Sequence, residues 1–359
     1  MFAGDPVRHD STIPALDGFR ALAILVVMAS HVGLQNWFPG QFGVTLFFFL
    51  SGYLITTLLR RELDRTGRID FGGFYLRRAV RILPPLYITI LFALSLDAAG
   101  LILPMKLWAI PYDLLFLSNY FPFSSVPIGL WSLAVEEHFY LGFPLLFLLL
   151  ARRLTFAQCA LVSLALCAVV LGVRFWEAQR AVDLHAVNFW THTRLDSILF
   201  GSVLALWNNP VADQTDRLPK GLAAYAVAAA LLLPTFAIRD EMFRTTWRYT
   251  LQGVGLIVLF NAAIRDRRLA GPLLDNALTR WIAALSYTLY LVHSVLVRAL
   301  EPGINQHAVL PDVIAIALSF LYAMAMRCWV ETPMAQWRRR RERASAAVRS
   351  PSEPDLVRS

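Results

Sequence analysis

Stretches of about twenty apolar residues recur almost end to end along this chain, separated by short loops rich in arginine. A helix of that length spans the hydrocarbon core of a bilayer, and no polar stretch between the segments is long enough to fold alone. The pattern therefore predicts an all-α polytopic membrane protein. Composition agrees, since 57% of the 359 residues are hydrophobic and 16% are charged, against roughly a quarter charged in soluble domains. An ordinary soluble enzyme, a disordered regulator and a fibrous repeat are excluded.

Ten segments are expected to cross the membrane: residues 16–34, 43–59, 83–103, 130–151, 156–176, 190–207, 222–238, 247–264, 281–300 and 310–330. Residues 107–123 are apolar but broken by Pro111 and Pro122, which predicts a short or interfacial helix. An even number of spans puts both termini on one side. Loops on that side carry 23 Lys and Arg, whereas the other side has seven including those at the outer ends of spans, so both termini are expected in the cytoplasm of a bacterial inner-membrane protein. The chain divides into one membrane domain, 1–337, and a basic disordered tail, 338–359. The first span is expected to be retained, because its leader mixes Arg8 with Asp5 and Asp10 and no small-x-small cleavage site follows it.

The net charge of +8 comes from arginines placed between spans, so nucleic acid is not an expected partner. Cys159, Cys167 and Cys328 lie in apolar segments without metal-ligand spacing, and no histidine pattern gathers three ligands. No metal is expected.

Ionisable residues inside spans are costly and mark functional positions. The first span carries Arg20 and His31, eleven residues apart, which places them on nearly one face about 16 Å apart along the axis. The fourth opens with Trp131-Ser132 and carries Glu136, Glu137 and His138; at least one of the adjacent carboxylates needs a cation or hydroxyl inside the bundle. The sixth holds His192, Arg194 and Asp196, with His192 and Asp196 in reach at four-residue spacing. Ser286, Tyr290 and His293 share a stripe of the ninth. With the expected orientation His31, Glu136, Glu137, His192, Arg194 and Asp196 converge in the outer half of the membrane. At the cytoplasmic mouth of the third span stand Arg77, Arg78 and Arg81, whose guanidinium forks suit phosphate oxygens, although topology alone also places arginines there.

Several of these segments resemble the signatures of acyltransferase family 3, integral-membrane enzymes that acylate surface sugars and related acceptors. They are Leu16-Asp17-Gly18-Phe19-Arg20-Ala21 with His31 downstream, Gly43 to Ile55, Tyr75 to Pro84, Leu130 to Glu137, Thr193-Arg194-Leu195-Asp196, and Leu285 to His293. His138, Val295 and Glu331-Thr332-Pro333 depart from the family's common residues. The resemblance implies a ten-helix domain without a permanently bound cofactor. It implies cytosolic acyl-CoA, usually acetyl-CoA, as co-substrate, and as acceptor a hydroxyl of an extracellular or lipid-linked polysaccharide of exopolysaccharide or O-antigen type. It also implies Arg20 and His31 as the essential pair, Glu136 as the acidic partner, and Arg77, Arg78 and Arg81 as the donor-phosphate site. Trp131, Ser132, Glu137, Arg194, Asp196 and His293 are the expected substrate-binding positions. The esterase-like extracytoplasmic domain fused to some members is not expected here.

The chemistry then expected is general-base catalysis by His31, with Glu136 holding its tautomer and Arg20 or Arg194 steadying the developing oxyanion. A covalent relay through Ser51, Ser132 or His293 is the alternative. The rival class is a transporter or exporter, because intramembrane Arg, Glu and His also mark substrate paths; the two halves of the chain show no repeat of the kind many transporters carry. Membrane lipid is an expected partner, and a homo-oligomer is left open.

Overall fold

A computed structural model describes residues 13–121, 129–300 and 308–349, and among them all regular structure is helical. In chain order the helices are α1 (Pro14–Ala29), α2 (Gly40–Thr66), α3 (Phe71–Ala98), α4 (Ile110–Leu114), α5 (Leu130–Ala151), α6 (Phe156–Arg180) and α7 (Thr191–Trp207). They continue as α8 (Gly221–Ala237), α9 (Glu241–Thr245), α10 (Trp247–Arg265), α11 (Arg267–Leu274), α12 (Ala277–Leu300), α13 (Val309–Met326) and α14 (Thr332–Arg349). Among the described residues seven helical stretches are long and apolar enough to cross a membrane: α1 with its extension, α2, α3, α5, α6, α12, and α13 running on towards α14. The chain is thus an all-α, multi-pass membrane protein. The other three expected spans coincide with α7, α8 and α10, of 17, 17 and 19 residues.

α7 is the centre of the bundle and is buried almost throughout, packed between α2, α6 and α10. Two glycines make the α2–α7 crossing this close: a Cβ on Gly52 would collide with the Ile198 carbonyl, and one on Gly201 with the Phe49 carbonyl. Membrane helices have no hydrophobic drive to associate in lipid, so such small-residue contact supplies the packing. Thr56 and Ser202 add a buried hydroxyl pair at 2.9 Å across the same crossing.

α1 does not end cleanly. After Ala29 it passes into a π-helical turn, Ser30–Leu34, in which Val32 leaves the helical region and Gly33 sits at φ +81°. Turns of this type often occur at functional sites, and this one carries His31. α3 keeps Pro84 and Pro85 inside a 28-residue helix, with Asp70 capping its start by accepting from the Gly73 amide.

The loop between α7 and α8 is tied to α2 by Arg60, whose guanidinium meets Asp213 at 2.5 Å. Burial lifts the Asp213 carboxyl, but the hydrogen bonds from Arg60 and the Asn209 amide and the charges of Arg60 and Arg217 outweigh it, so Asp213 lies below its ordinary value.

The apolar segment after α3 is a 3-10 turn, Leu107–Ala109, followed by the five-residue α4, as its Pro111 predicts; Pro122 lies outside the described residues. α14 takes in residues 338–349 of the stretch expected as a disordered tail. Its run of strong helix formers continues the preceding helix, with Arg338 and Glu342 paired at four-residue spacing. Residues 350–359 lie outside the described residues.

Candidate active site

Two cavities enter the bundle from opposite ends of α2. Gly40 and Gln41, at the start of that helix, line one, and Arg61 and Arg65, near its end, line the other. About 37 Å of helix separates Gly40 from Arg65 at 1.5 Å per residue.

The first cavity, about 930 Å³, is a cationic funnel. Arg77, Arg78 and Arg81 of α3 line it, so the structure gathers all three expected phosphate ligands. Arg20, Arg61, Arg65 and Arg338 line it too, against only Glu62 and Glu136 among the described carboxylates. Arg78 lies over the Tyr140 ring at 3.8 Å. Arg20 keeps a long ion pair with Asp17, 3.3 Å, within α1. In the sequence Arg61 and Arg65 read as topology charges and Arg338 as tail; their common cavity becomes visible only when α2, α3 and α14 are placed side by side.

Glu136 faces this cavity. Ser51 donates to one of its oxygens at 3.1 Å and Tyr140 to the other at 2.7 Å. Its expected pairing with His31 does not form. The neighbouring Glu137 points elsewhere, as the 100° step of a helix requires, and its Oε1 is buried without a hydrogen-bond partner.

The second cavity, about 750 Å³, holds His31 and His293. His31 is exposed to it, on the π-helical turn. Its Nδ1 lies 2.9 Å from the Val27 carbonyl and 3.4 Å from Nε2 of His293, and the two rings meet edge to face at 4.9 Å. A carbonyl only accepts, so the proton of neutral His31 sits on Nδ1 and its lone pair on Nε2. His293 likewise gives its Nδ1 proton to the Leu289 carbonyl at 2.9 Å, which leaves its Nε2 to accept from His31. The orienting role expected of Glu136 thus falls to Val27 and His293. Sequence spacing could not pair two histidines 262 residues apart.

The cavities share two lining residues, Val44 and Tyr290. Trp131 lines the histidine side and Ser132 the arginine side. The Tyr290 hydroxyl is hydrogen-bonded to Ser132 and donates to the Gly129 carbonyl at 3.0 Å. A single aromatic ring and its hydrogen bonds stand where the two spaces abut.

The remaining expected residues serve the wall. Asp196 does not meet His192 but forms a fully buried ion pair with Arg174 at 2.5 Å. His192 turns to Tyr120 at 3.1 Å and Glu177 at 3.8 Å. Arg194, also fully buried, bonds Thr45 and the Asn188 carbonyl and lies 3.7 Å over the Tyr249 ring. The expected convergence of six polar residues is therefore divided among the cavities and the packing between them. Arg174 and Arg248, at the ends of expected spans, count in the sequence with the low-arginine side, yet both are buried inside the bundle.

A family model described as an acyltransferase domain matches residues 13–328. The O-acetyltransferases OatA of Staphylococcus aureus strains NCTC 8325 / PS 47 and COL are each 31% identical over 358 residues, covering 90% of this chain and 57% of their own length. A further S. aureus (strain COL) protein, provisionally named an O-acetyltransferase, is 31% identical over 354 residues, 89% of this chain and 57% of its own. The chain thus spans little more than half the length of the curated relatives it matches. No solved structure matches it.

Proposed function

The chain belongs to acyltransferase family 3, and on that premise we propose that it is a membrane O-acetyltransferase that moves an acetyl group from cytosolic acetyl-CoA to a hydroxyl of an extracytoplasmic or lipid-linked glycan. The observation that carries this reading is the pair of cavities abutting at Tyr290, one crowded with guanidiniums and the other holding a histidine whose lone pair the backbone fixes. In this reading the chain crosses the inner membrane ten times with both termini cytoplasmic, so the arginine cavity opens to the cytosol.

The donor's phosphates rest on Arg77, Arg78 and Arg81, with Arg20, Arg61, Arg65 and Arg338 adding to the field. The pantetheine arm then extends along the cavity towards Tyr290 and delivers the thioester to the histidine side. Nε2 of His31 takes the proton of the acceptor hydroxyl as its oxygen bonds to the thioester carbon. The imidazolium formed is held by the Val27 carbonyl and by Nε2 of His293. When the C–S bond breaks, the leaving thiolate recovers that proton, and the products are an acetyl ester and free CoA. Transfer is direct. Ser51 and Ser132 are engaged by Glu136, Tyr140 and Tyr290, which fits them for packing more than for a relay.

The test is labelled acetyl transfer to candidate glycans by the chain in lipid nanodiscs, with His31→Gln as the comparison. Acetyl ester formation that His31→Gln abolishes, while acetyl-CoA binding persists, is the expected result; full turnover in the variant rejects the base. In cells, deletion should remove acetyl mass from surface glycan, whereas loss of the whole polymer would indicate export.

A further inference from the structure

The cluster behind the histidine cavity carries more positive charge than its carboxylates neutralise. Arg248 at the start of α10 is only 7% exposed, and its Nη2 bonds two neutral groups, Gln41 at 2.8 Å and Tyr249 at 2.7 Å. Its Nε is buried without a partner. Arg194 is likewise held by a hydroxyl and a carbonyl. Tyr249 lies under three guanidiniums, those of Arg194 at 3.7 Å, Arg248 at 4.8 Å and Arg174 at 5.2 Å. The nearby carboxylate, Asp196, is taken by Arg174.

Ring contacts recover part of what burial costs a cation, but an unpaired buried guanidinium still favours any anion brought beside it. Arg248 lines the cavity, and so do Arg244 and Arg239, both exposed. The carboxylates lining the same space, Asp183 and Glu241, are exposed, where solvent and salt screen them.

We infer that this cavity selects an acceptor bearing a negative group, a sugar carboxylate or phosphate, which docks on Arg248 and Arg244 and brings a neighbouring hydroxyl to His31. The inference rests on the transfer reading for the identity of the occupant as acceptor. The charge arrangement that supports it is independent of catalysis.

The experiment is a calorimetric titration of the full chain in phosphatidylcholine nanodiscs, without acyl donor, with trigalacturonate, a phosphorylated trisaccharide and neutral maltotriose. The anionic probes should bind about tenfold or more tighter than maltotriose, a difference of about 1.4 kcal/mol, and should weaken as salt rises. Whichever anionic probe binds tighter identifies carboxylate or phosphate as the group recognised. Arg248→Gln and Arg244→Ala should each remove most of that preference while leaving maltotriose affinity unchanged. Arg244 is exposed, so its variant carries the test even if Arg248→Gln fails to fold.

Equal affinity for neutral and anionic probes, no measurable binding of either anion, or an equal loss for all probes in Arg244→Ala overturns the inference. Loss of the preference in phosphatidylglycerol discs would also overturn it, because a lipid headgroup would then fill the site. Anion binding without acetyl transfer would reject the proposed reaction and leave the anion site standing. Acetyl transfer with no charge preference would do the reverse.

Discussion

Tyr290 donates its hydroxyl proton to the Gly129 carbonyl and shares a second hydrogen bond with Ser132, which pins its ring between the arginine and histidine cavities. A Cβ added at Gly129 would lie 2.7 Å from the tyrosine oxygen and 3.2 Å from Cζ, so the ring must move. Gly129→Ala should slow acetyl transfer about tenfold with acetyl-CoA affinity unchanged. Tyr290→Phe removes the same hydroxyl, and the two changes should be less than additive, as neighbours acting on one contact are. Turnover and donor binding measured in parallel on the four proteins check this; additive losses would place the two residues in separate roles.

His31→Gln should cut turnover by about 10²- to 10⁴-fold, the usual range for a general base. His293→Gln should cost only about tenfold, because its hydrogen bond to His31 is long at 3.4 Å and the Val27 carbonyl remains. Both losses should fall in kcat with KM for acetyl-CoA unmoved, which is the signature of an interaction made in the transition state. Steady-state kinetics with varied donor decide it.

If the arginine cavity holds the donor as proposed, the opposite split is expected there. Arg78→Lys keeps the charge but loses both the planar fork and the face-on contact with Tyr140. KM for acetyl-CoA should rise about tenfold while kcat stays within about twofold. A fall in kcat alone would move Arg78 from donor binding to the reaction centre.

Asp196→Ala leaves Arg174 buried without its carboxylate and should destabilise the bundle by about 3–5 kcal/mol. Replacing both partners, Arg174→Met with Asp196→Leu, should recover most of that loss. Unfolding midpoints in detergent separate these outcomes.

Acid should loosen the α2 tie to the loop after α7. The Asp213 carboxyl is held below its ordinary value by Arg60 and the Asn209 amide, so the unfolded chain binds its proton first. The stabilisation is complete above the unfolded value near 3.9 and is lost as pH falls through the lower folded value. Melting curves in detergent should therefore lose part of their acid-side slope in Asp213→Asn.

Hydropathy made the helices legible, because a continuous apolar run of about twenty residues that spans lipid must pair its backbone within itself, as a helix does. The arginine triad on α3 was also legible, since its spacing lies within one element. What spacing hid was partnership between elements. Glu136 and His31 look like neighbours when depth in the membrane is the only coordinate, yet adjacent turns of α5 face different spaces, and the π-helical turn carries His31 towards α12. Arg174 and Arg248 lie at the ends of the expected spans 156–176 and 247–264, where a charge tally counts them with the outer face, because spacing cannot see that Tyr249 accepts their guanidiniums on its ring.

The contribution of Arg338 to the guanidinium funnel bears on how the molecule is handled. Trimming the chain after α13 for crystallisation, or fusing a purification handle directly to that helix, would keep the apolar helices yet remove one of the cations that draw negative charge into that space. On the proposed reading, such a preparation would look well behaved on a sizing column and poorly active at the bench.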